Sequence, residues 1–294
     1  MSYLDRVQGE INHSLESILS ELTLQKKGPL DRFLTAIRYS MFPGGKRFRP
    51  ALTLASAEAV GTHRAVALTI GAALEMIHTY SLVHDDLPCM DDAEIRRGKR
   101  PTHQEFDEGT AVLVGDGLLT DAFRVLAELP LRHKVAPEIA LEIINIVAKS
   151  AGTSGMVAGQ VLDIQSKLDI SFPELQWLAI HKTGKLIHAA ILCGALPVSP
   201  NDDLRSALNR FGESLGLAFQ VIDDLEDANQ AIERRIPEAP RASFVQILGV
   251  DESRERAIDL IHKSIDALQP LKEAADPLRE LARALLDRVP PSLT

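Results

Sequence analysis

The stretch AVALTIGAALEMIHTYSLVHDDLPCMDD, residues 65–92, decides the fold. It is rich in alanine, leucine and isoleucine up to Val83 and carries no proline before Pro88, so it reads as one long helix over 65–86. That helix is apolar on most faces, which places it centrally in a large bundle or in a buried oligomer contact. It runs into His84-Asp85-Asp86-Leu87-Pro88-Cys89-Met90-Asp91-Asp92. Pro88 breaks the helical pattern, so the run curls and Asp91 swings back towards Asp85. Carboxylates packed together after apolar residues repel one another unless a cation sits among them. Hard cations such as Mg2+ prefer all-oxygen ligand sets of this kind. Arg96 and Arg97 follow closely, and arginines beside such a cluster point to a phosphate held with the metal.

Helical periodicity continues on both sides of this stretch. Leu15, Ile18, Leu19 and Leu22 form one apolar stripe; Phe33, Ile37 and Met41 form another, stopped by Pro43-Gly44-Gly45. Helices are expected over 50–60, 108–128, 137–152, 154–166, 173–195, 202–229, 252–267 and 276–288, with a polar loop over 93–106. No stretch alternates as a half-buried strand would, and no linker, repeat or low-complexity run divides the chain. The expectation is one all-α domain over 1–294.

Composition agrees. The chain is 45% hydrophobic and 25% charged with only 4% aromatic residues, which favours helices over sandwiches. A net charge of −9 argues against a nucleic-acid partner. Cys89 and Cys193 form no disulfide framework and fit a reducing, cytoplasmic compartment. Residues 1–30 do not read as a signal peptide. The stretch from Leu186 to Val198 is interrupted by His188 and falls short of the roughly 20 residues a membrane helix needs, so no membrane span is expected.

A second acidic cluster reads Phe219-Gln220-Val221-Ile222-Asp223-Asp224-Leu225-Glu226-Asp227. Asp223 and Asp227 are i and i+4 and share a helix face, with Glu226 at its edge; like charges so spaced destabilise a bare helix. A solvated acidic turn is the plain alternative to metal binding, but the apolar run before Asp223 implies burial. A third element, GGKRFRP at 44–50, combines two glycines that let a ligand approach the backbone with Lys46, Arg47 and Arg49. It lacks the glycine spacing and Ser/Thr of a P-loop. His78 lies seven residues before Asp85 on about the same helix face, as a ligand contact or a satisfied core residue. Gln160 and Asp163 follow Gly155 and Gly159, with a buried hydrogen-bond network as their plain role. No nucleophile triad and no zinc spacing is present.

Together the segments GGKRFRP (44–50), MIHTYSLVHDDLPCMDDAEIRRGKRPTH (76–103), GMVAGQVLDI (155–164), HKTGKLI (181–187) and GLAFQVIDDLED (216–227) resemble the trans-isoprenyl diphosphate synthases, the bacterial farnesyl diphosphate synthases in particular. The resemblance runs from about Phe33 to Leu248. It implies an isoprenoid-synthase-type helical bundle with a deep central cavity, usually a homodimer. It implies that Asp85, Asp86 and Asp91 bind Mg2+ bridging an allylic diphosphate, and that Asp223, Asp224 and Asp227 hold another Mg2+, with about three ions when substrate is bound. Arg96 and Lys182 are then the allylic-diphosphate contacts, with Thr183 and Gln220 nearby, and Lys46, Arg49, His78 and Arg97 hold isopentenyl diphosphate. Asp85, Asp86, Asp91, Lys182, Asp223 and Asp224 carry the catalytic assignment. In similar enzymes a bulky aromatic at the place of Tyr80, next to Ser81, floors the cavity and limits the product to fifteen carbons. The two acidic clusters are expected to grip one metal-bound diphosphate from opposite walls of an apolar pocket.

One departure from the family pattern follows the second cluster. The lysine- and glycine-rich loop expected there is shortened, and its lysines are replaced by a run that includes Arg234, Arg235 and Arg241. Ala93, where an acidic residue is common, is a milder one. The leading expectation is a prenyltransferase that makes farnesyl diphosphate from dimethylallyl or geranyl diphosphate. The alternatives are a geranylgeranyl diphosphate synthase, a catalytically impaired binding or regulatory subunit, and a terpene cyclase; the second diphosphate element at 44–50 speaks against the last.

Overall fold

The computed structural model describes residues 1–23, 28, 30–42, 44–165, 170–234 and 242–290. Among them the α-helices are, in order, α1 Tyr3–Thr23, α2 Asp31–Met41, α3 Phe48–Val60, α4 Arg64–Asp85, α5 Thr102–Glu105, α6 Glu108–Ala127, α7 Leu129–His133, α8 Pro137–Ala151, α9 Met156–Gln165, α10 Phe172–Ala179, α11 Lys185–Ala195, α12 Asp202–Arg234, α13 Phe244–Leu248, α14 Val250–Ala267 and α15 Asp276–Leu286. A π-helical turn, Ile180–Gly184, joins α10 to α11, and short 3-10 turns cover Leu196–Val198 and Gln269–Ala275. No strand occurs among the described residues; Arg96 and Lys99 form an isolated antiparallel bridge. The fold is all-α.

The expected helices are present within a few residues at each end. The loop expected over 93–106 contains the single turn α5, and α7 and α13 were too short to leave a periodic signal. Local chemistry fixes several starts. Asp107 caps α6 by accepting from the Thr110 N–H at 2.7 Å, Asn201 caps α12 through Leu204 N–H at 3.0 Å, and the Glu174 carboxylate accepts from the Ser171 N–H at 2.8 Å at the head of α10.

The chain forms two compact units, residues 1–54 with 63–144 and residues 55–62 with 145–294. In the first, α4 packs most extensively against α6 and also touches α1 and α2. Leu15, Ile18 and Leu19 are buried as the stripe on α1 requires, as are Ile37 and Met41 on α2; the side chain of Leu22 and all of Pro43 lie outside the described residues. The tightest contact is at Gly115 on α6, where a Cβ would sit 1.9 Å from Nε2 of His84. That nitrogen is 3.0 Å from the Val112 carbonyl oxygen, so the ring is fixed beside the first acidic cluster.

In the second unit α12 is the axis, packed against α14, α11 and the π-turn. The π-turn is the main difference from the continuous helix expected over 173–195. Its backbone lies against two glycines: a Cβ on Gly159 would be 2.3 Å from Lys182 N, and one on Gly216 would be 2.8 Å from Gly184 Cα. The widened turn (a form frequent at functional sites) lets HKTGK press directly on α9 and α12. α4 is long and apolar enough to cross a membrane by length and composition, but 78% of that window is buried inside the structure, as in a core helix.

Candidate functional site

The first unit carries the first acidic cluster and the GGK element. The expected curl after α4 is present: Asp91 N–H donates to Asp85 O at 2.8 Å and Ala93 N–H to Asp86 O at 3.2 Å. The backbone therefore folds Asp91 onto Asp85. Asp86 is buried, at 2% exposure, and its Oδ1 accepts from Arg96 Nε at 2.8 Å and Nη2 at 2.5 Å. Asp85 is half-buried and Asp91 exposed.

Gly44, Gly45 and Arg47 all have left-handed backbone, at φ 68, 108 and 52. A Cβ on Gly45 would lie 3.1 Å from Cζ of Arg97, so only glycine lets that guanidinium lie on the loop. Arg97 itself sits at φ 53. Arg47 is buried, and it donates to Asn12 Oδ1 at 2.9 Å, Glu75 Oε1 at 2.8 Å and Met41 O at 2.7 Å. It pins the loop to α1, α2 and α4. Lys46 faces solvent beside it, and Arg49 is buried.

His78 lies among these cations. Burial pushes its pKa well below the ordinary value, and the charges of Arg49, Arg97, Arg96 and Arg47 push it further. The ring is therefore neutral at pH 7, beside four arginines of which Arg47 and Arg96 are paired with Glu75 and Asp86. The structure thus brings Arg49, His78 and Arg97 together as expected, with Lys46 on the same loop. Tyr80 is 7% exposed, its ring edge-on to His84 at 5.8 Å between centroids. Burial, then the charge of Asp85, raises its pKa to about 12, so it stays a neutral phenol. Ser81 Oγ is turned onto its own helix, donating to His78 O at 2.9 Å.

The second unit carries the other acidic cluster. Lys182 Nζ donates to Asp163 Oδ2 at 2.5 Å. Thr183 Oγ1 donates to Gln220 Oε1 at 2.8 Å, Gln220 Nε2 to Asp224 Oδ1 at 2.9 Å, and Phe244 N–H to Asp224 Oδ2 at 2.8 Å. Both oxygens of Asp224 are engaged, and its carboxylate ties α13 to α12. Asp223 takes a different environment: Arg288 Nη2 donates to its Oδ1 at 2.6 Å and to Glu226 Oε2 at 2.7 Å, while Arg288 Nε donates to Glu226 Oε1 at 2.9 Å. Burial nevertheless raises the Asp223 pKa to about 6 against the pull of Arg288. Asp227 is exposed. Of the network expected at Gln160 and Asp163, Asp163 is paired, whereas both amide atoms of Gln160 are buried with no partner. An orphaned amide costs free energy, and the expected network is therefore incomplete at Gln160.

The donor set at each cluster is carboxylate oxygen, as Mg2+ requires, and the second already holds a cation, the Arg288 guanidinium, among its oxygens. Among the described residues no three His, Cys, Asp or Glu side chains converge as a ready-made cage. Mg2+ keeps several waters and often binds through few carboxylates plus substrate phosphates, so an open set of this kind fits it.

A family model described as Polyprenyl synthetase matches residues 31–235. The chain belongs to the polyprenyl synthetase family. It is 38% identical to a farnesyl diphosphate synthase of Micrococcus luteus over 95% of this chain and 97% of that one. It is 40% identical to geranylgeranyl pyrophosphate synthase 12 of Arabidopsis thaliana over 79% and 67% of the two chains. The solved structure of an FPP/GFPP synthase from Zymomonas mobilis superimposes with a TM-score of 0.88 at 35% identity, covering 96% of this chain and 98% of that one.

Within this polyprenyl synthetase, sequence reasoning missed two features. Glu75 carried a signal: a lone carboxylate inside an apolar helix must find a buried cation, here Arg47. Arg288 carried none, because its partners lie 65 and 62 residues away and only the fold joins them. Of the arginines considered as replacements for the missing loop lysines, Arg235 and Arg241 and the side chain of Arg234 lie outside the described residues.

Proposed function

We propose that this polyprenyl synthetase is an Mg2+-dependent prenyltransferase that condenses isopentenyl diphosphate with dimethylallyl or geranyl diphosphate to give farnesyl diphosphate. The observation that carries the reading is the loop over 44–49, where left-handed Gly45 admits the Arg97 guanidinium onto the turn that bears Lys46 and Arg49: a second diphosphate element that a single-diphosphate enzyme has no use for. Lys46, Arg49, His78 and Arg97 hold the diphosphate of isopentenyl diphosphate. Arg96 and Lys182, now paired with Asp86 and Asp163, turn to the allylic diphosphate, with Thr183 and Gln220 beside them. Asp85, Asp86 and Asp91 hold Mg2+ at the first cluster, and Asp223, Asp224 and Asp227 at the second, about three ions in all. Bound there, Mg2+ neutralises charge that develops on the leaving diphosphate.

The allylic C–O bond breaks with its electron pair leaving on the diphosphate. Arg96 and Lys182 stabilise that charge through pre-placed donors. The double bond of isopentenyl diphosphate attacks the allylic carbon, and the departed diphosphate takes the proton lost in re-forming a double bond. Apolar residues ahead of each cluster, Val83 on α4 and Val221 and Ile222 on α12, are buried and keep water from the cation. Tyr80, about 7.5 Å along the helix from Asp85, stops growth at fifteen carbons. The competing reading is a geranylgeranyl diphosphate synthase, since relatives of both kinds occur at similar identity.

The two units act as one domain over 1–294, a reading supported by a family match that runs through both. Exposed Val112 and Leu113 on α6 and Leu141 on α8 support a homodimer. The exposed free thiol of Cys89 supports a reducing cytoplasm. The test is purified protein with Mg2+, isopentenyl diphosphate and dimethylallyl or geranyl diphosphate, with products resolved by length. A C15 diphosphate is expected and a C20 product moves the assignment to geranylgeranyl. Diphosphate binding without turnover makes the chain a regulatory homologue, and a hydrocarbon or alcohol makes it a cyclase.

A further inference from the structure

Arg288 stands beyond the end of α15, yet its side chain is only 17% exposed because it is folded into the second acidic cluster. Three donor contacts of 2.6, 2.7 and 2.9 Å bind it to Asp223 and Glu226. Its guanidinium carbon lies 5.1 Å from the centroid of the Phe219 ring, on the same helix as its two carboxylate partners. The chain just after it is also held, with Arg254 Nε donating to Pro290 O at 2.9 Å. Asp223 and Glu226 are i and i+3 on α12 and would repel without a cation between them. The plain explanation is a pin that fastens the end of the last helix to α12. A pin, however, would be equally served by an apolar contact, whereas this guanidinium engages a carboxylate to which metal binding is assigned.

We propose that Arg288 is the resident counter-cation of the second acidic cluster and competes with divalent metal for Asp223, so that it sets the metal affinity of that cluster. The inference rests on the assignment of Asp223 as a metal ligand under Proposed function. A metal ion approaching Asp223 meets a fixed positive charge within a few ångströms, and the guanidinium must give up its Asp223 contact or the two cations repel. Both partners are partly exposed, so the competition is moderate rather than prohibitive.

The test uses the full chain without substrate and Mn2+ as a paramagnetic probe for Mg2+, counting free Mn2+ by electron paramagnetic resonance. Arg288→Gln is expected to bind Mn2+ about fivefold to tenfold more tightly than the wild type, tenfold being about 1.4 kcal/mol. Arg288→Lys keeps the charge but loses the fork and is expected to fall between the two. Arg283→Gln, an exposed arginine on α15, is expected to match the wild type. Adding Asp223→Asn to Arg288→Gln should abolish the gain, which locates it at this cluster. Equal, measurable Mn2+ affinity in wild type, Arg288→Gln and Arg288→Lys, with only a lowered melting temperature, overturns the inference and leaves Arg288 a pin. No Mn2+ uptake by any of them overturns the inference, which requires the second cluster to take up metal without substrate; the metal-ligand assignment is then tested separately by repeating the titration with inorganic diphosphate present. Should Arg288→Gln fail to fold, Arg288→Lys decides alone: unchanged or weaker binding refutes the competition.

Discussion

Replacing Glu75 with alanine strips a buried guanidinium of the carboxylate it is paired with. Arg47 and Glu75 are each 2% exposed and 2.8 Å apart. Breaking such a pair from one side costs roughly 3–5 kcal/mol, because the remaining charge stays buried. Arg47 keeps Asn12 Oδ1 and Met41 O, so the lower end of that range applies, about 3 kcal/mol. For a chain of this size each kcal/mol moves the melting temperature by about 2–4 °C, giving a fall of about 6–12 °C. Glu75→Gln keeps the shape and an acceptor and should cost about half as much. Urea unfolding followed by circular dichroism reads the difference as a shift in midpoint at constant slope. The double variant Arg47→Met with Glu75→Leu removes both charges and should recover most of the loss. Because Arg47 holds the left-handed turn between Lys46 and Arg49, both single variants should also raise the KM for isopentenyl diphosphate more than that for the allylic substrate. A Glu75→Ala protein within about 1 kcal/mol of wild type, or a double variant as unstable as the sum of the singles, would refute the clamp.

Three further outcomes are expected. Gly159→Ala drives a Cβ to 2.3 Å from Lys182 N and 2.6 Å from its Cα. Backbone cannot swing aside, so α9 and the π-turn must part; steady-state assays should show kcat down by at least about tenfold, and an unchanged kcat would mean Lys182 needs no such placement. Tyr80→Ala should lengthen the product by five-carbon units in a chain-length chromatogram, and an unaltered C15 product would remove Tyr80 as the floor. His188, whose pKa burial lowers, hydrogen-bonds Asn209 Oδ1 through Nε2 at 2.9 Å. The unfolded chain binds the proton first as pH falls, so this stability is present above about 6.5 and is lost below it. Melting temperatures measured from pH 8 to pH 5 should fall, and His188→Gln should flatten that fall; an equal slope in the variant would assign it elsewhere.

Local pattern carried much of this molecule. The apolar run over 65–83 and the proline after it define α4 and the curl that folds Asp91 onto Asp85, because helix periodicity and a missing N–H act within a few residues. The glycines at 44 and 45 marked a place of close backbone approach, and the structure gives both a left-handed φ. The family segments put Asp85, His78, Lys182 and Asp223 forward as candidates, since each sits in a short contiguous motif. Three things were set by packing alone. The π-turn at 180–184 arises where Gly159 and Gly216 admit another backbone, a contact between helices that no one-dimensional pattern records. Asp224 and Asp223 are neighbours in sequence but differ in fate, one tying down α13 and the other exchanging bonds with Arg288. Adjacent helix positions point about 100° apart, so what each meets depends on elements far along the chain. The neutrality of His78 likewise comes from burial and four arginines, and charge of that kind is summed over space rather than along the sequence.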